Sequence, residues 1–355
     1  MNKYKGMVLF FMKKVQKNIL DLKQIYYPEI YIPTNKVNKK NEYDLSILIP
    51  VYNAEEFLTR TLNSIVGQKT KYNYEIVIVN DGSSDGSSDI LNKFKEKNNN
   101  IKIINQSNHG ISYARNVLLE NASGKYISFV DSDDTISEYF VEKMLNIIKS
   151  QNVGYVKCNY KKIQNKTSKC IFESNYKSDT NKENIDKYLW GSIIEKKEYE
   201  NVSFPENYWF EDMVFNFFIV SRMKKIVICE DYLYNYYEYE NSASKIQGKK
   251  SNVKNLDQFY LVYNIVNFYF CNKMKFTEEQ EKIILHELGT MLVTRTLELK
   301  YKERKKVFYA SCELIDKIDF SQKYKELLIF KKRKFLNWNI AAIYNRICQK
   351  RRLNK

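Results

Sequence analysis

Residues 126–137, YISFVDSDDTIS, run five mostly apolar residues into three carboxylates, Asp131, Asp133 and Asp134, within four positions. Charges so close repel and cost stability unless a counter-charge sits among them. Mg²⁺ and Mn²⁺ prefer carboxylate oxygens and also take phosphate oxygens and water, so carboxylates at the tip of a strand can hold a divalent cation against an anionic ligand. That chemistry requires the residues to be presented together at an open edge, which the rest of the sequence has to build.

Apolar runs at LSILIPV (45–51), YEIVIVN (74–80), IKIIN (101–105) and YISFV (126–130) are short and rich in β-branched or aromatic residues. Strands buried on both faces read this way. Helical patterns separate them. Leu58, Leu62, Ile65 and Val66 recur with helical spacing, ISYARNVLLE follows Gly110, and Ser137 is placed to cap a helix in EYFVEKMLNIIK. Strands alternating with helices at this pace predict an α/β fold of βαβ units with a mostly parallel sheet. Ligands of such sheets bind beyond the carboxyl ends of the strands. The residues that end or follow the runs are Pro50, Tyr52 and Asn53, then Asp81, Gly82 and Ser83, then Asn108 and Gly110, then the acidic cluster, and they should line one edge.

Composition narrows the class. The chain has 355 residues, 44% of them hydrophobic and 29 of them Tyr, enough to bury a sizeable core. Its net charge of +16 predicts an anionic partner, whether nucleic acid, an acidic membrane surface or a phosphorylated ligand. No nucleic-acid motif is present, and strand-tip carboxylates would repel a phosphate backbone, so no nucleic-acid partner is expected. Residues 331–355 hold nine Lys or Arg and no acid, with Leu336, Ile340, Ile343, Tyr344 and Ile347 at helical spacing. This tail reads either as a helix lying on an anionic membrane surface or as a basic helix packed on its neighbours or forming a homo-oligomer contact. Six scattered cysteines without a CxxC pair fit a reducing compartment. With no secretory signal and no span-length apolar run, the expected location is cytoplasmic or peripheral on the inner face of the membrane. Three regions follow: a basic, aromatic arm and linker at 1–43, a strand-bearing domain at 44–247, and a mainly helical region at 248–355 that ends in the basic tail.

SILIPVYNAEEFLTRTLNSIVGQ, EIVIVNDGSSDGSSDIL, NHGISYARN and GKYISFVDSDD, in that order, resemble the consecutive signature segments of family 2 glycosyltransferases. The resemblance is close over 45–150 and looser to about 245. It implies a GT-A, Rossmann-like fold and an inverting transfer of a sugar from a nucleotide-diphosphate donor, UDP favoured, to a saccharide or lipid-linked acceptor in capsule, exopolysaccharide or teichoic acid synthesis. Asp131 and Asp133 then stand as the D-x-D pair with Ser132 between them, the first Asp on the ribose and the second on a Mn²⁺ or Mg²⁺ that bridges the diphosphate. Asp134 matches the pattern without a role that the mechanism requires. The resemblance also sets Asp81 against the base, where its carboxylate would accept from a uracil N–H, with a turn former or helix cap as the alternative. Pro50 and Tyr52 would pack around the base and Asn53 would shape the turn. Arg115 would reach the diphosphate, or serve in a salt bridge.

Inversion by direct displacement needs one general base to take the proton of the attacking hydroxyl. Related enzymes use an acidic residue after an aromatic, which makes Asp212, with Glu211 in reserve, the candidate in YWFEDMVFNFF. The same pair could serve only as favourable charges at a helix N-terminus. Tyr208 and Trp209 read either as sugar-stacking rings or as core. The stretch EDYLYNYYEYENSASKI resembles the family's Tyr-rich strand and N-S-x-S loop, with Asn241, Ser242 and Ser244 as contacts, but Glu238 stands where the family often has a basic residue.

Overall fold

The computed structural model describes residues 21–24, 28, 30–34, 37–180, 185–186, 188–239, 253–296 and 299–319. Asn241, Ser242 and Ser244 and the basic tail at 331–355 lie outside them. The chain divides into two compact units. One comprises Pro33–Glu206 and Glu211–Lys249; the other comprises Met1–Ile32, Asn207–Phe210 and Lys250–Lys355.

The first unit is built on one sheet. β1 (Tyr43–Val51), β2 (Tyr74–Asp81), β3 (Ile101–Gln106) and β4 (Gly124–Phe129) pair in parallel in the order β3-β2-β1-β4. α1 (Glu55–Val66), α2 (Ser87–Lys97) and α3 (Ile111–Asn121) make the crossovers between them. β1 is buried from Leu45 to Val51 without alternation, as a strand covered on both faces must be. Leu58, Leu62 and Ile65 of α1 join Ile47, Ile49, Ile76 and Ile78 in the core. Pro50 can donate no ladder bond, and it sits past the last β1–β4 pair, Leu48 with Phe129, where β4 asks for none.

Beyond β4 the sheet becomes mixed, which the strand–helix alternation did not foretell. β5 (Thr135–Ile136) runs antiparallel to β9 (Val227–Glu238), and β9 runs parallel to β6 (Tyr155–Gln164). β6 also carries β7 (Lys169–Glu173) and β8 (Ser192–Glu195), both antiparallel, and β8 closes the sheet onto β4. α4 (Phe140–Ser150) buries Val141, Met144, Leu145 and Ile148 in the same core. It begins three residues after Ser137, which accepts the Phe140 N–H through its backbone carbonyl at 2.9 Å, so Ser137 is not the side-chain cap that its type suggested. α5 (Asp212–Phe218) completes this unit's helices among the described residues.

The second unit is helical, as the long periodic segments predict: α6 (Asp257–Cys271), α7 (Glu278–Thr290) and α8 (Tyr301–Asp316). α6 is buried almost all round, in keeping with DQFYLVYNIVNFYF. α7 starts on a capping box in which Thr277 and Gln280 satisfy each other's backbone N–H. Tyr208 belongs to this unit and is core, its hydroxyl accepting from Asn264 at 2.8 Å. Among the described residues no helix is long and apolar enough to cross a membrane.

Candidate functional site

The turn after β2 is laced to the turn after β1. Asn53, at φ +48°, accepts the Ser84 N–H on its side-chain oxygen at 2.8 Å and donates its own N–H to Ser83 Oγ at 3.0 Å. Asn tolerates that left-handed backbone, which explains why this residue type shapes the turn. Glu55 accepts the Gly86 N–H at 2.8 Å while Asp85 accepts the Glu55 N–H at 3.0 Å. Pro50 is buried in β1, and Tyr52 beyond it is 52% exposed, which leaves its ring available to a flat ligand.

Asp81 ends β2 almost wholly buried. Its carboxylate accepts from Gln106 Nε2 at 2.7 Å, the His109 N–H at 2.9 Å and the Gly110 N–H at 2.8 Å. A carboxylate has about four acceptor positions, so roughly one is left for a ligand after the loop at 106–110 is held. Gly82 next to it is at φ +74°, and a Cβ there would stand 2.7 Å from the Asn108 nitrogen, so this close approach of two turns needs glycine. His109 is exposed, bonded to Ser107 Oγ at 2.8 Å and packed on the Tyr113 ring.

The acidic cluster divides into three environments. Asp134 is 0% exposed and accepts from Tyr234 Oη at 2.7 Å and from the Tyr237 N–H at 2.8 Å, so it straps β9 to the tip of β4. This is the role that the sequence left open. Burial, then the charges of Asp133 and Asp131, push its pKa well above the ordinary carboxylate range. Its folded pKa therefore exceeds the unfolded one, and its contribution to stability weakens as pH rises through the folded value. Asp134→Ala removes both acceptors and is expected to cost roughly 2–4 kcal/mol, while Asp134→Asn keeps one oxygen and should cost less than half of that. Thermal melting in EDTA checks it; an alanine variant as stable as wild type would refute the strap.

Asp133 differs. Its backbone carbonyl is bound, but no described side chain donates to its carboxylate, and burial followed by the charge of Asp131 raises its pKa to about 6. Asp131 is half-buried, its N–H donates to Tyr234 Oη at 3.3 Å, and its Oδ1 lies 3.7 Å from Arg115 Nη2. Ser132 between them offers its carbonyl to Thr61 Oγ1 at 2.9 Å, so its backbone is committed to α1. Two neighbouring carboxylates, one of which disfavours the charge of the other, form a donor set suited to a divalent cation. Among the described residues no group of three or more His, Cys, Asp or Glu could hold a metal ion.

Arg115, on α3 and 7% exposed, balances the acids. Its Nη1 donates to Glu211 Oε1 at 2.6 Å, and its guanidinium lies 5.6 Å from the Phe204 ring centroid. Burial opposes its charge, but Glu211, Asp131 and Asp212 together raise its pKa. Both Nη atoms face protein carboxylates, one in a hydrogen bond to Glu211 and the other 3.7 Å from Asp131, so the salt-bridge reading of Arg115 describes its contacts here. Glu211 precedes α5, and Asp212 opens that helix at its exposed start, near enough for its charge to act on Arg115.

Sequence reasoning missed Arg60. From α1 it donates through Nη2 to the Asp133 carbonyl at 2.9 Å and to Tyr239 Oη at 2.8 Å, and through Nη1 to Asn165 Oδ1 at 3.2 Å. Its guanidinium lies 3.6 Å from the centroid of the Tyr237 ring. It thereby ties the acidic turn to the end of β9. No local signal could have exposed it, because an Arg between apolar helix positions reads as a solvated face.

The sequence model of Glycosyl transferase family 2 matches residues 46–221. The chain is similar to glycosyltransferase GlyA of Streptococcus pneumoniae, 32% identical over 226 residues, which are 58% of this chain and 32% of GlyA. It is also similar to the minor teichoic acid biosynthesis protein GgaB of Bacillus subtilis, 28% identical over 275 residues, 74% of this chain and 31% of GgaB. These matches span about a third of the length of either relative. Among solved structures, residues 1–349 of S. aureus TarS in complex with UDP-GlcNAc superpose with a TM-score of 0.66 at 21% identity, covering 84% of this chain and 88% of that one. A parallel half-sheet that ends in this acidic turn, matched along its length by the family's sequence model and in its fold by TarS, means that the chain belongs to glycosyl transferase family 2, with the GT-A fold.

Proposed function

We propose that this chain transfers a hexosyl or N-acetylhexosaminyl group from a UDP-linked donor to a hydroxyl of a saccharide or lipid-linked acceptor in the synthesis of a surface polysaccharide such as a teichoic acid, capsule or exopolysaccharide. The observation that carries this reading is the convergence of Asp131 and Asp133 with Arg115, Glu211 and Asp212 in one unit beside the β4 strand end. Its polymer class is supported by similarity to GgaB and to a poly(ribitol-phosphate) beta-glucosyltransferase of Bacillus spizizenii, 33% identical over 204 residues, and its donor by the UDP-GlcNAc held by TarS. The basic charge of residues 331–355 would favour an anionic membrane surface, where a lipid-linked acceptor resides.

Asp131 would hold the ribose, and Asp133, aided by Asp131, would hold Mn²⁺ or Mg²⁺. A divalent cation bound there supplies neutralisation of the charge that gathers on the departing diphosphate. Asp212 accepts the proton of the acceptor hydroxyl as its oxygen bonds to the anomeric carbon and the bond from that carbon to the diphosphate breaks, with inversion. Glu211 keeps Arg115 in position, and the charge of Arg115 favours the ionised form of Asp131 against burial, which disfavours it. Tyr52 and the last open position of Asp81 serve the base.

Thermal shift tests the donor site directly. UDP with Mn²⁺ should raise the melting temperature of the wild type by several degrees, as saturating ligand stabilises by about 3–4 kcal/mol at 100 to 1,000 times its Kd. Asp133→Ala should lose the Mn²⁺-dependent part. No stabilisation by UDP, GDP, CDP or dTDP would overturn the reading, and a full shift in Asp133→Ala would remove the metal from Asp133.

A further inference from the structure

The sheet unit carries a second built feature beside the carboxylates, a stack of aromatic rings. Tyr188 lies face to face with Trp190, centroids 4.6 Å and planes 11° apart. Trp190 stacks in turn on Tyr234 at 4.6 Å and 12° and on Tyr236 at 5.5 Å and 14°, and Tyr160 meets it edge-on at 4.9 Å. Tyr234 is the residue whose hydroxyl binds the Asp134 carboxylate and receives the Asp131 N–H, so the stack is anchored on the acidic turn.

A buried charge fixes the outermost ring. Lys157, fully buried, donates its ammonium to the carbonyls of Tyr188 at 3.0 Å and Trp190 at 2.5 Å. Burying a charge is costly unless it is bonded, and here it is spent on holding these two residues in place. Gly191, at φ +66°, lets the chain turn from the stack into β8. Trp190, Tyr234 and Tyr160 are buried, whereas Tyr188 at the end of the stack is 37% exposed. Burial, then the charges of Asp186 and Asp212, raise the pKa of the Tyr188 hydroxyl, which puts the platform within electrostatic reach of the candidate base.

We infer that Tyr188 is the platform on which a pyranose ring of the acceptor stacks, the C–H face of the sugar lying on the exposed side of the aromatic ring. A rigid, preorganised ring costs little entropy to present, and an aromatic side chain gives a saccharide apolar area that hydroxyl contacts cannot. The assignment rests on the glycosyltransferase reading and deepens it, since it gives the acceptor a binding surface that the carboxylates do not supply.

The test separates acceptor from donor. Full-length enzyme is assayed for hydrolysis of UDP-GlcNAc and UDP-glucose by water, and for transfer to, and saturation-transfer NMR contact with, methyl β-glucopyranoside, methyl β-galactopyranoside and methyl N-acetyl-β-glucosaminide. Tyr188→Ala should raise the KM for the best glycoside roughly tenfold and weaken its NMR contact, Tyr188→Phe should stay within about twofold, and donor hydrolysis should be unchanged in both. An unchanged acceptor KM in Tyr188→Ala, an equal loss of hydrolysis and transfer, or a hydrolysing wild type that touches none of the three glycosides overturns the platform. A wild type that neither binds UDP nor hydrolyses either donor instead brings down the parent reading, and the platform with it.

Discussion

Asp212→Asn is expected to lower sugar transfer by roughly 10²–10⁴-fold while leaving the UDP–Mn²⁺ thermal shift intact. Asparagine keeps the shape and polarity of the side chain but cannot take a proton from the acceptor hydroxyl. Asp212 is preferred over Glu211 on geometric grounds. Glu211 is partly buried and its Oε1 holds the Arg115 guanidinium at 2.6 Å, so protonating it would weaken that ion pair, whereas Asp212 is exposed at the start of α5. Its charge at a helix N-terminus is worth about 0.3–1 kcal/mol, so the variant should fold and melt close to wild type. Steady-state transfer to the best methyl glycoside, beside donor binding by thermal shift, reads both quantities. Turnover within tenfold of wild type would take the base away from Asp212, and a lost thermal shift would make it a donor-site residue instead.

What the sequence disclosed follows from how local each signal is. The parallel half of the sheet was legible because its strands are continuous β-branched runs and each is followed by a helix with its own apolar stripe. The mixed half was not. β8 is four residues long, β7 is exposed throughout, and β9 places tyrosines at positions that look alike in sequence yet end in different environments. Tyr234 is buried on Asp134 while Tyr232 is exposed, and only the partner strands decide which.

The same distinction runs through the site. Asp131, Asp133 and Glu211–Asp212 stood out as candidates because each cluster is contiguous and the family's segments set their order. The strap from Asp134 to Tyr234 and Tyr237 spans about a hundred residues, and so does the Arg115–Glu211 pair. Arg60 reaches across 73 residues to the Asp133 carbonyl. Local reasoning finds candidate groups for the chemistry, while the groups that hold them come from anywhere the chain returns. Tyr208 shows the converse: three residues before the acidic pair in sequence, it is core in the other unit, where α6 provides Asn264 for its hydroxyl.

Those distant supports make Arg115 the side chain whose loss should be felt most in stability. Arg115→Met keeps much of the apolar stem against Phe129 and Phe204 but leaves Glu211 and Asp131 without their counter-charge. Removing one partner of a buried ion pair costs about 3–5 kcal/mol, because the other charge stays behind in a poorly solvated place. For a unit of this size that corresponds to a fall in melting temperature of roughly 10 °C. The direction of its pH dependence follows from Asp131. Burial raises that carboxyl's pKa and Arg115 opposes the rise, so in the variant the pKa climbs further above its unfolded value. The folded state then binds protons more tightly than the unfolded one, and the variant should regain stability as pH is lowered through that raised pKa, whereas wild type gains less. Glu211→Gln in the same background should recover part of the loss, since it removes one of the stranded charges, and a double-mutant cycle between Arg115 and Glu211 should give a coupling of about 1–3 kcal/mol. Melting curves of the single and double variants at several pH values measure all three effects. A near-zero coupling would mean that the 2.6 Å contact contributes nothing in solution, and the acidic edge would then owe its tolerance of crowded carboxylates to something other than Arg115.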